Sequence, residues 1–296
     1  MRGAERGFLL LSCHLGDPEQ KVLTVPQLRT LARRVRGGGC SDPDRALQPS
    51  DLKAMGYSTA MAEHIVSLLS REDLLDCYLR LGRKVNCVPV TWATPGYPAA
   101  LRQRLGLDSP GCLWAKGELS LLARPKIALA GSRDLESGNT GFAREVGRQA
   151  ALQGYVLVSG NARGADRTAQ ESCLEHGGGV ISIVADRLDE KKQRENVLYL
   201  SEEGFDLPFS AQRALSRNRC IHALGEKTFI AQCGLETGGT WDGTVKNLRN
   251  GWSPVYVFAD GSDASAALEA MGAVPVLPQM LSDIGALPVF QGSLFE

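Results

Sequence analysis

Apolar side chains recur along this chain at two different periods, and the change from one to the other divides it. Over the first 85 or so residues the spacing is helical. Leu28, Leu31 and Val35 fall on one face, and Gly37-Gly38-Gly39 then ends the run. A second helix is predicted to start at Ser50, whose side chain suits an N-cap. A third carries Ala62, Ile65, Leu68 and Leu69, and Leu74, Leu75, Tyr78 and Leu79 continue its pattern. The stretch from Leu52 to Ile65 has the outline of a helix-hairpin-helix. Gly56-Tyr57 lacks the Gly-x-Gly hairpin that approaches a phosphate, so residues 1–85 read as a small all-helical packing domain.

From Val85 short continuous apolar runs take over: Ile127 to Ala130, Val156 to Val158, Val180 to Val184, Thr228 to Ala231 and Val255 to Phe258. Helical patterns separate them, such as Thr140 to Gln153 with Phe142, Val146 and Ala150 on one face. Continuous apolar strands alternating with helices predict a mostly parallel sheet covered on both faces. The fold class expected is α/β, with a Rossmann-like doubly wound domain over 86–280 and a flexible tail over 281–296.

In such a sheet ligands bind beyond the carboxyl ends of the strands. Three glycine-bearing loops are expected there: Gly131-Ser132-Arg133, then Ser159-Gly160-Asn161-Ala162-Arg163-Gly164-Ala165-Asp166, then Gly238-Gly239-Thr240-Trp241-Asp242-Gly243-Thr244. Each opens a helix, and backbone amides at a helix start make a ready anion site where glycine permits close approach. Three such loops in one sheet, two with arginine, point to a phosphate-bearing ligand. The chain lacks both a P-loop G-x-x-x-x-G-K-[ST] and a dinucleotide G-x-G-x-x-G fingerprint, and no cofactor is expected. Asp166 has two readings, a catalytic carboxylate or a group that caps the next helix or orients an arginine. Ser216-Arg217-Asn218-Arg219 adds two arginines about 200° apart around a helix. Either they are solvated, or one serves a cleft while the other braces it.

The 33 Lys and Arg balance 33 Asp and Glu, so a nucleic-acid site must be a local basic feature rather than a property of bulk charge. The eight cysteines show no C-x-x-C pair and no zinc spacing, and read as reduced structural thiols with no metal site. Phe8 to Leu11 is too short for a signal segment, and no apolar run reaches the roughly 20 residues needed to span a bilayer. A cytoplasmic protein with no membrane partner is expected.

Several of these segments together resemble one family. Tyr97-Pro98-x-x-Leu101, Leu113-x-x-Lys116-Gly117, Leu121-Leu122 and Ile127 to Arg133 look like the entry to the DprA/Smf domain. Ser159-Gly160-x-Ala162-Arg163-Gly164-x-Asp166 is similar to its second signature, and Arg217-Asn218-Arg219 to its third. The likeness runs from about Thr94 to Ala259. It implies a non-catalytic protein that binds single-stranded DNA and helps load the RecA recombinase, with a homodimer as a further expectation. By the same resemblance Ser132, Arg133, Ser159, Gly160, Arg163, Gly164 and Asp166 would line the DNA pocket, with Arg217 to Arg219 on its wall; Gly238, Gly239 and Thr240 are expected at the phosphate site from their own loop pattern alone. The chain departs from the family pattern after Asp166, where Arg167-Thr168-Ala169-Gln170 has no histidine, and at Gly238 to Thr244.

The glycine segment at 238–244 also resembles the loop of Rossmann-like nucleotide sensors and phosphoribohydrolases. Lys246 and Asn247 stand where a hydrolase would need a carboxylate, so a nucleotide-sensing or nucleotide-hydrolysing protein is the alternative. Finally, the chain ends Gln291-Gly292-Ser293-Leu294-Phe295-Glu296. The Gln-x-x-Leu-Phe pattern looks like the peptide by which bacterial proteins dock on the sliding clamp, with Gln291 at the rim and Leu294 and Phe295 as apolar anchors.

Overall fold

The computed structural model describes residues 3–37 and 46–289; the tail residues Gln291, Leu294 and Phe295 lie outside them. Five helices come first: α1 (Gly3–Ser12), α2 (Val25–Gly37), α3 (Pro49–Ala54), α4 (Thr59–Leu69) and α5 (Glu72–Lys84). Helix α1 was not read from the sequence, although it buries Leu9 and Leu10 completely. Helix α3 begins at Pro49, not after Ser50. Proline suits the first helical position because its missing N–H would be unpaired there anyway, and Gln48 is the N-cap. The apolar run from Ala62 to Leu79 is two helices, broken at Ser70-Arg71. Arg71 turns back there and donates to the Cys13 carbonyl (3.1 Å), tying the break to the end of α1.

The remainder alternates as expected: β1 (Val88–Thr91), α6 (Ala99–Leu105), β2 (Cys112–Gly117), β3 (Lys126–Ala130), α7 (Ser137–Leu152), β4 (Val156–Ser159), α8 (Ala165–Glu175), β5 (Gly179–Ile183), β6 (Val197–Glu202), α9 (Ala211–Leu224), β7 (Thr228–Ile230), α10 (Gly238–Asn250), β8 (Val255–Phe258), α11 (Asp263–Ala270) and β9 (Val274–Val276). All the strands join one sheet in the order β1-β2-β6-β5-β4-β3-β7-β8-β9. Pairing is parallel from β6 to β9 across the sheet, and antiparallel only at β1–β2 and β2–β6.

The order reverses at β3. The chain proceeds one way through β4, β5 and β6, then returns to place β7 on the other side of β3. Helices connecting the two halves leave the sheet in opposite directions at that point, which opens a crevice above the strand ends.

Alternation along the strands assigns the two faces. Ile127, Leu129 and Leu157 pack with Phe142, Val146 and Ala150 of α7 and with Ala169 and Cys173 of α8. Ala128, Val156, Val158 and Ile181 pack on the other face against Leu101 of α6 and Ile221 and Leu224 of α9. Ile230, Val255 and Val257 form a smaller core with Trp241 of α10 and Leu268 of α11. The first face also takes in Leu9, Leu10, Leu75, Tyr78 and Leu79 from the leading helices, whereas Leu31, Leu52, Ala62 and Ile65 form a core of their own. Among the described residues no helix is long and apolar enough to cross a membrane.

Candidate functional site

A cleft of about 770 Å³ opens at the crevice between the carboxyl ends of β3 and β7. Its floor is the β3 end and the loop after it, Gly131-Ser132-Arg133. This loop is fixed by its backbone: Ser132 N–H donates to Gln232 O (2.9 Å), and Ala165 N–H donates to Ser132 O (3.1 Å). Arg133 is exposed and makes no hydrogen bond or ion pair among the described residues, though its charge reaches Asp166 and Arg217.

The second loop, Ser159 to Gly164, is folded around Asp166. The buried Asp166 carboxylate accepts from the amides of Gly160 and Ala162, both at 3.1 Å. It is therefore not the cap of α8, since Gly164 holds that position. Gly164 has φ +82°, and a Cβ there would meet the Ser132 and Arg133 carbonyls at 2.4 Å. A glycine is required for both reasons, and it lets the second loop seat on the first.

Facing Asp166 is Arg217, only 8% exposed. It donates through Nη1 to Ile183 O (2.8 Å), while its Nε has no partner among the described residues. Its guanidinium packs against Gly160, where a Cβ would sit 1.6 Å from Nη1. Burial raises the Asp166 carboxyl pKa, and the Arg217 charge and the two loop amides oppose that shift. Burial likewise lowers Arg217, opposed by Asp166. The two groups lie in the same cleft wall without a direct ion pair, each held by backbone groups instead.

The third side is the start of α10. Residues 238–244, expected as a loop, are the helix itself. Thr237 is the N-cap and makes no side-chain capping bond. The amides of the first turn are among the four that no helix can satisfy internally. Thr237, Gly238, Gly239 and Thr240 line the cleft. Asn218 Nδ2 donates to Gly239 O (3.0 Å), locking α9 to this helix start.

The predicted site residues thus separate. Gly131, Ser132, Arg133, Asp166, Arg217, Asn218, Gly238, Gly239 and Thr240 line one cleft. Ser159 is fully buried beneath Gln170, which donates to it and to Ser182 Oγ (2.8 Å); it holds the loop from below. Gly160 and Gly164 act as spacers between packed groups. Arg163 stands outside, exposed on the rim and paired with Asp134 (2.7 Å). Arg219, placed on the wall by the family resemblance, is turned away from the cleft. It pairs with Glu202 at 2.7 Å and donates from Nε to Asp108 O at 3.3 Å, so it braces α9 against β6. The 200° separation decides this: with Arg217 inward, Arg219 must point to the opposite side.

Sequence reading missed the apolar lip of the cleft. Phe209, 57% exposed, and Leu215, 50% exposed, both line it. A lone phenylalanine ahead of a helix cap carries no period to betray it; only large apolar groups left in water at a cleft mouth do.

Comparison with known proteins finds the same fold. The family model for DNA recombination-mediator protein A matches residues 89–247. The DNA processing protein DprA of Bacillus subtilis is 26% identical over 254 residues, covering 82% of this chain and 76% of that protein. Other curated relatives named DprA or Smf match over half of their own length or less. Among solved structures, DNA processing protein A of Streptococcus pneumoniae superposes with a TM-score of 0.71 at 22% identity, covering 93% of this chain and 95% of that one. DNA processing protein A of Helicobacter pylori, with a described single-stranded DNA binding mode, superposes with a TM-score of 0.56 at 24% identity, covering 66% of this chain and 94% of that one. With the matched segment running from the first strand through most of α10, more than half of its length, this chain belongs to the DNA recombination-mediator protein A family.

Proposed function

We propose that the cleft holds the backbone of a single DNA strand, without chemistry, so that the protein protects the strand and presents it to a recombinase of the RecA type. The observation that carries this reading is the pairing of one unpartnered cation, Arg133, with the uncapped start of α10 across an open cleft. Both attract phosphate oxygen, and neither selects a base. Phe209 and Leu215 on the lip offer apolar surface to an unstacked base, which a duplex keeps inside its stack. The single-stranded DNA binding mode described for the Helicobacter pylori relative supports the same ligand class.

Hydrolysis of a nucleotide is disfavoured by the state of the carboxylates. Asp166 is committed to two loop amides, and Asp242, the other carboxylate lining the cleft, is exposed at its edge. A glycosidic cleavage would need a free acid and base beside the sugar.

The deciding experiment is a binding titration with single-stranded, duplex and mononucleotide ligands at two salt concentrations. Tight, salt-sensitive retention of the single strand is expected. Preference for a mononucleotide, with thermal stabilisation by it, would replace this reading with a nucleotide sensor. We assign the leading helices of 1–85 and the sheet region of 86–280 to separate roles, the second carrying the cleft. A homodimer, and clamp docking through Gln291, Leu294 and Phe295, remain part of the proposal, the latter testable by mixing the protein with its own clamp with and without Leu294→Ala/Phe295→Ala.

A further inference from the structure

Helix α2 is the most unevenly charged element among the described residues, with four arginines and no carboxylate in its thirteen positions. Arg29, Arg33 and Arg36 project within about 60° of one another around the axis, at roughly 6 and 10 Å from the first. Arg34 is used internally, its guanidinium 4.2 Å above the Tyr57 ring. Arg33 and Arg36 are exposed and make no hydrogen bond or ion pair with any described residue.

This row is joined to the outer wall of the cleft. Arg29 Nη1 bonds Asp108 Oδ1 at 2.7 Å, and the same Asp108 offers its carbonyl to Arg219 of α9 at 3.3 Å. Arg219 bonds Ser216, the neighbour of the lip residue Leu215. The exposed face of α9 therefore leads from the cleft mouth to Asp108, and from there α2 carries the cations onward. The Arg29–Asp108 pair neutralises the junction and leaves Arg33 and Arg36 as free charges beyond it.

We infer that the Arg29-Arg33-Arg36 face of α2 is a second, sequence-independent contact for the backbone of a strand that leaves the cleft over α9. The inference rests on the reading of the cleft as a single-strand site. A protein partner fits this face less well, because interface centres are depleted of charge and anchored by aromatic or aliphatic groups, whereas this face presents guanidinium groups. Arginines in the last turn also favour the helix dipole, and that role predicts no effect of their loss on ligand binding.

The test compares oligodeoxythymidylates of about six nucleotides, enough to fill the cleft, and about twenty, enough to cross α9 as well. The full-length protein and its Arg33→Gln/Arg36→Gln variant are titrated with each across a salt series. The intact protein should hold the longer strand at least tenfold more tightly at low salt. The variant should lose most of that gain and about 1.4 of the log–log salt slope on the long strand, two contacts at roughly 0.7 each, with the short strand bound as before. Unchanged short-strand binding also reports that the variant is folded, and the single Arg36→Gln variant should show about half the loss of slope. Equal long-strand affinity and slope in variant and intact protein would overturn the inference while leaving the cleft reading in place, and would turn the face over to an acidic protein partner. Failure of the intact protein to bind either length would sink the cleft reading, and this inference with it.

Discussion

Arg133 and Arg163 occupy matching places in two adjacent loops, yet the fold puts them to different uses. Arg133 stands free in the cleft, whereas Arg163 is held on the rim by Asp134, both side chains well exposed. Arg133→Ala should therefore weaken single-strand binding and lower the log–log salt slope by about 0.7, while Arg163→Ala should do less. Asp134→Asn releases Arg163 from a surface pair worth at most about 1 kcal/mol, so binding should tighten by no more than about fivefold. Fluorescence anisotropy at two salt concentrations resolves all three variants; equal losses for the two arginines would show that the Asp134 pair does not restrain Arg163. Gly160 offers a sharper test. A methyl group there would collide with the Arg217 guanidinium, so Gly160→Ala must expel a buried cation from beside Asp166. The expected cost is about 1 to 3 kcal/mol in urea unfolding, together with weaker strand binding, because the displaced guanidinium gives up its buried bond to the Ile183 carbonyl. A variant that unfolds like the parent would refute the packing described. The glycines and Asp166 could be read from the sequence because each fills a conformational or bonding need that few residues meet. The opposite fates of Arg217 and Arg219 could not, since they depend on which face of α9 meets the sheet.

The central strands and the helices between them were legible for a related reason. A strand buried on both faces must be largely apolar, and β3, β4, β5, β7 and β8 are short stretches of that kind, interrupted mainly at Lys126, Ser159, Ser182 and Thr228. Strands β1 and β9 each carry a proline, which argues against a strand, whereas β2 and β6 hold the apolar runs Cys112 to Ala115 and Val197 to Leu200 and were legible but not read. Helix α10 was half legible: its glycines resemble a loop, yet Gly239 and Gly243 lie against Leu215, Asn218 and His222 of α9 and let the two helices meet. Between these helices His222 is fully buried, with Asn247 Nδ2 donating to its Nδ1 at 3.2 Å and Asn247 Oδ1 accepting from Ser253 N–H. Burial pushes the His222 pKa down from 6.5 to about 4. The unfolded chain then takes up a proton near pH 6.5 that the folded chain refuses until about pH 4. Stability is intact above the upper value and drains away as pH falls toward the lower one, by about 3 kcal/mol in all. Urea midpoints of the parent should fall across that window, and those of His222→Gln should fall less; parallel curves would mean that His222 is protonated normally in the fold.

The leading helices and the sheet share one core, and this governs how the chain should come apart. Tyr78 of α5 stacks on Phe205 at 4.3 Å and meets Trp114 of β2 edge-on at 5.1 Å, with Phe205 against Trp114 at 4.9 Å. The Tyr78 hydroxyl donates to Asp206 and accepts from the Phe205 amide at 3.1 Å, so neither side can leave without stranding polar groups as well as rings. Trp114 Nε1 donates to Cys13 Sγ beyond α1 at 3.4 Å, and Leu9, Leu10 and Leu75 complete the contact. The change of period near residue 85 marks where helices give way to strands, but not where packing stops. A fragment beginning at residue 86 would expose Trp114, Phe205 and the apolar face beneath α1 and α5, a patch that folded monomers rarely leave in water. The expected outcome is that residues 86–289 alone aggregate or unfold well below the melting temperature of the full chain. In the full chain Tyr78→Ala should destabilise both regions in a single transition, by about 3 to 5 kcal/mol. Tryptophan fluorescence and far-UV circular dichroism followed through the same urea titration decide it. Coincident curves establish one cooperative unit, and a soluble, folded 86–289 fragment that still binds a short strand would show instead that the sheet region stands without its helices.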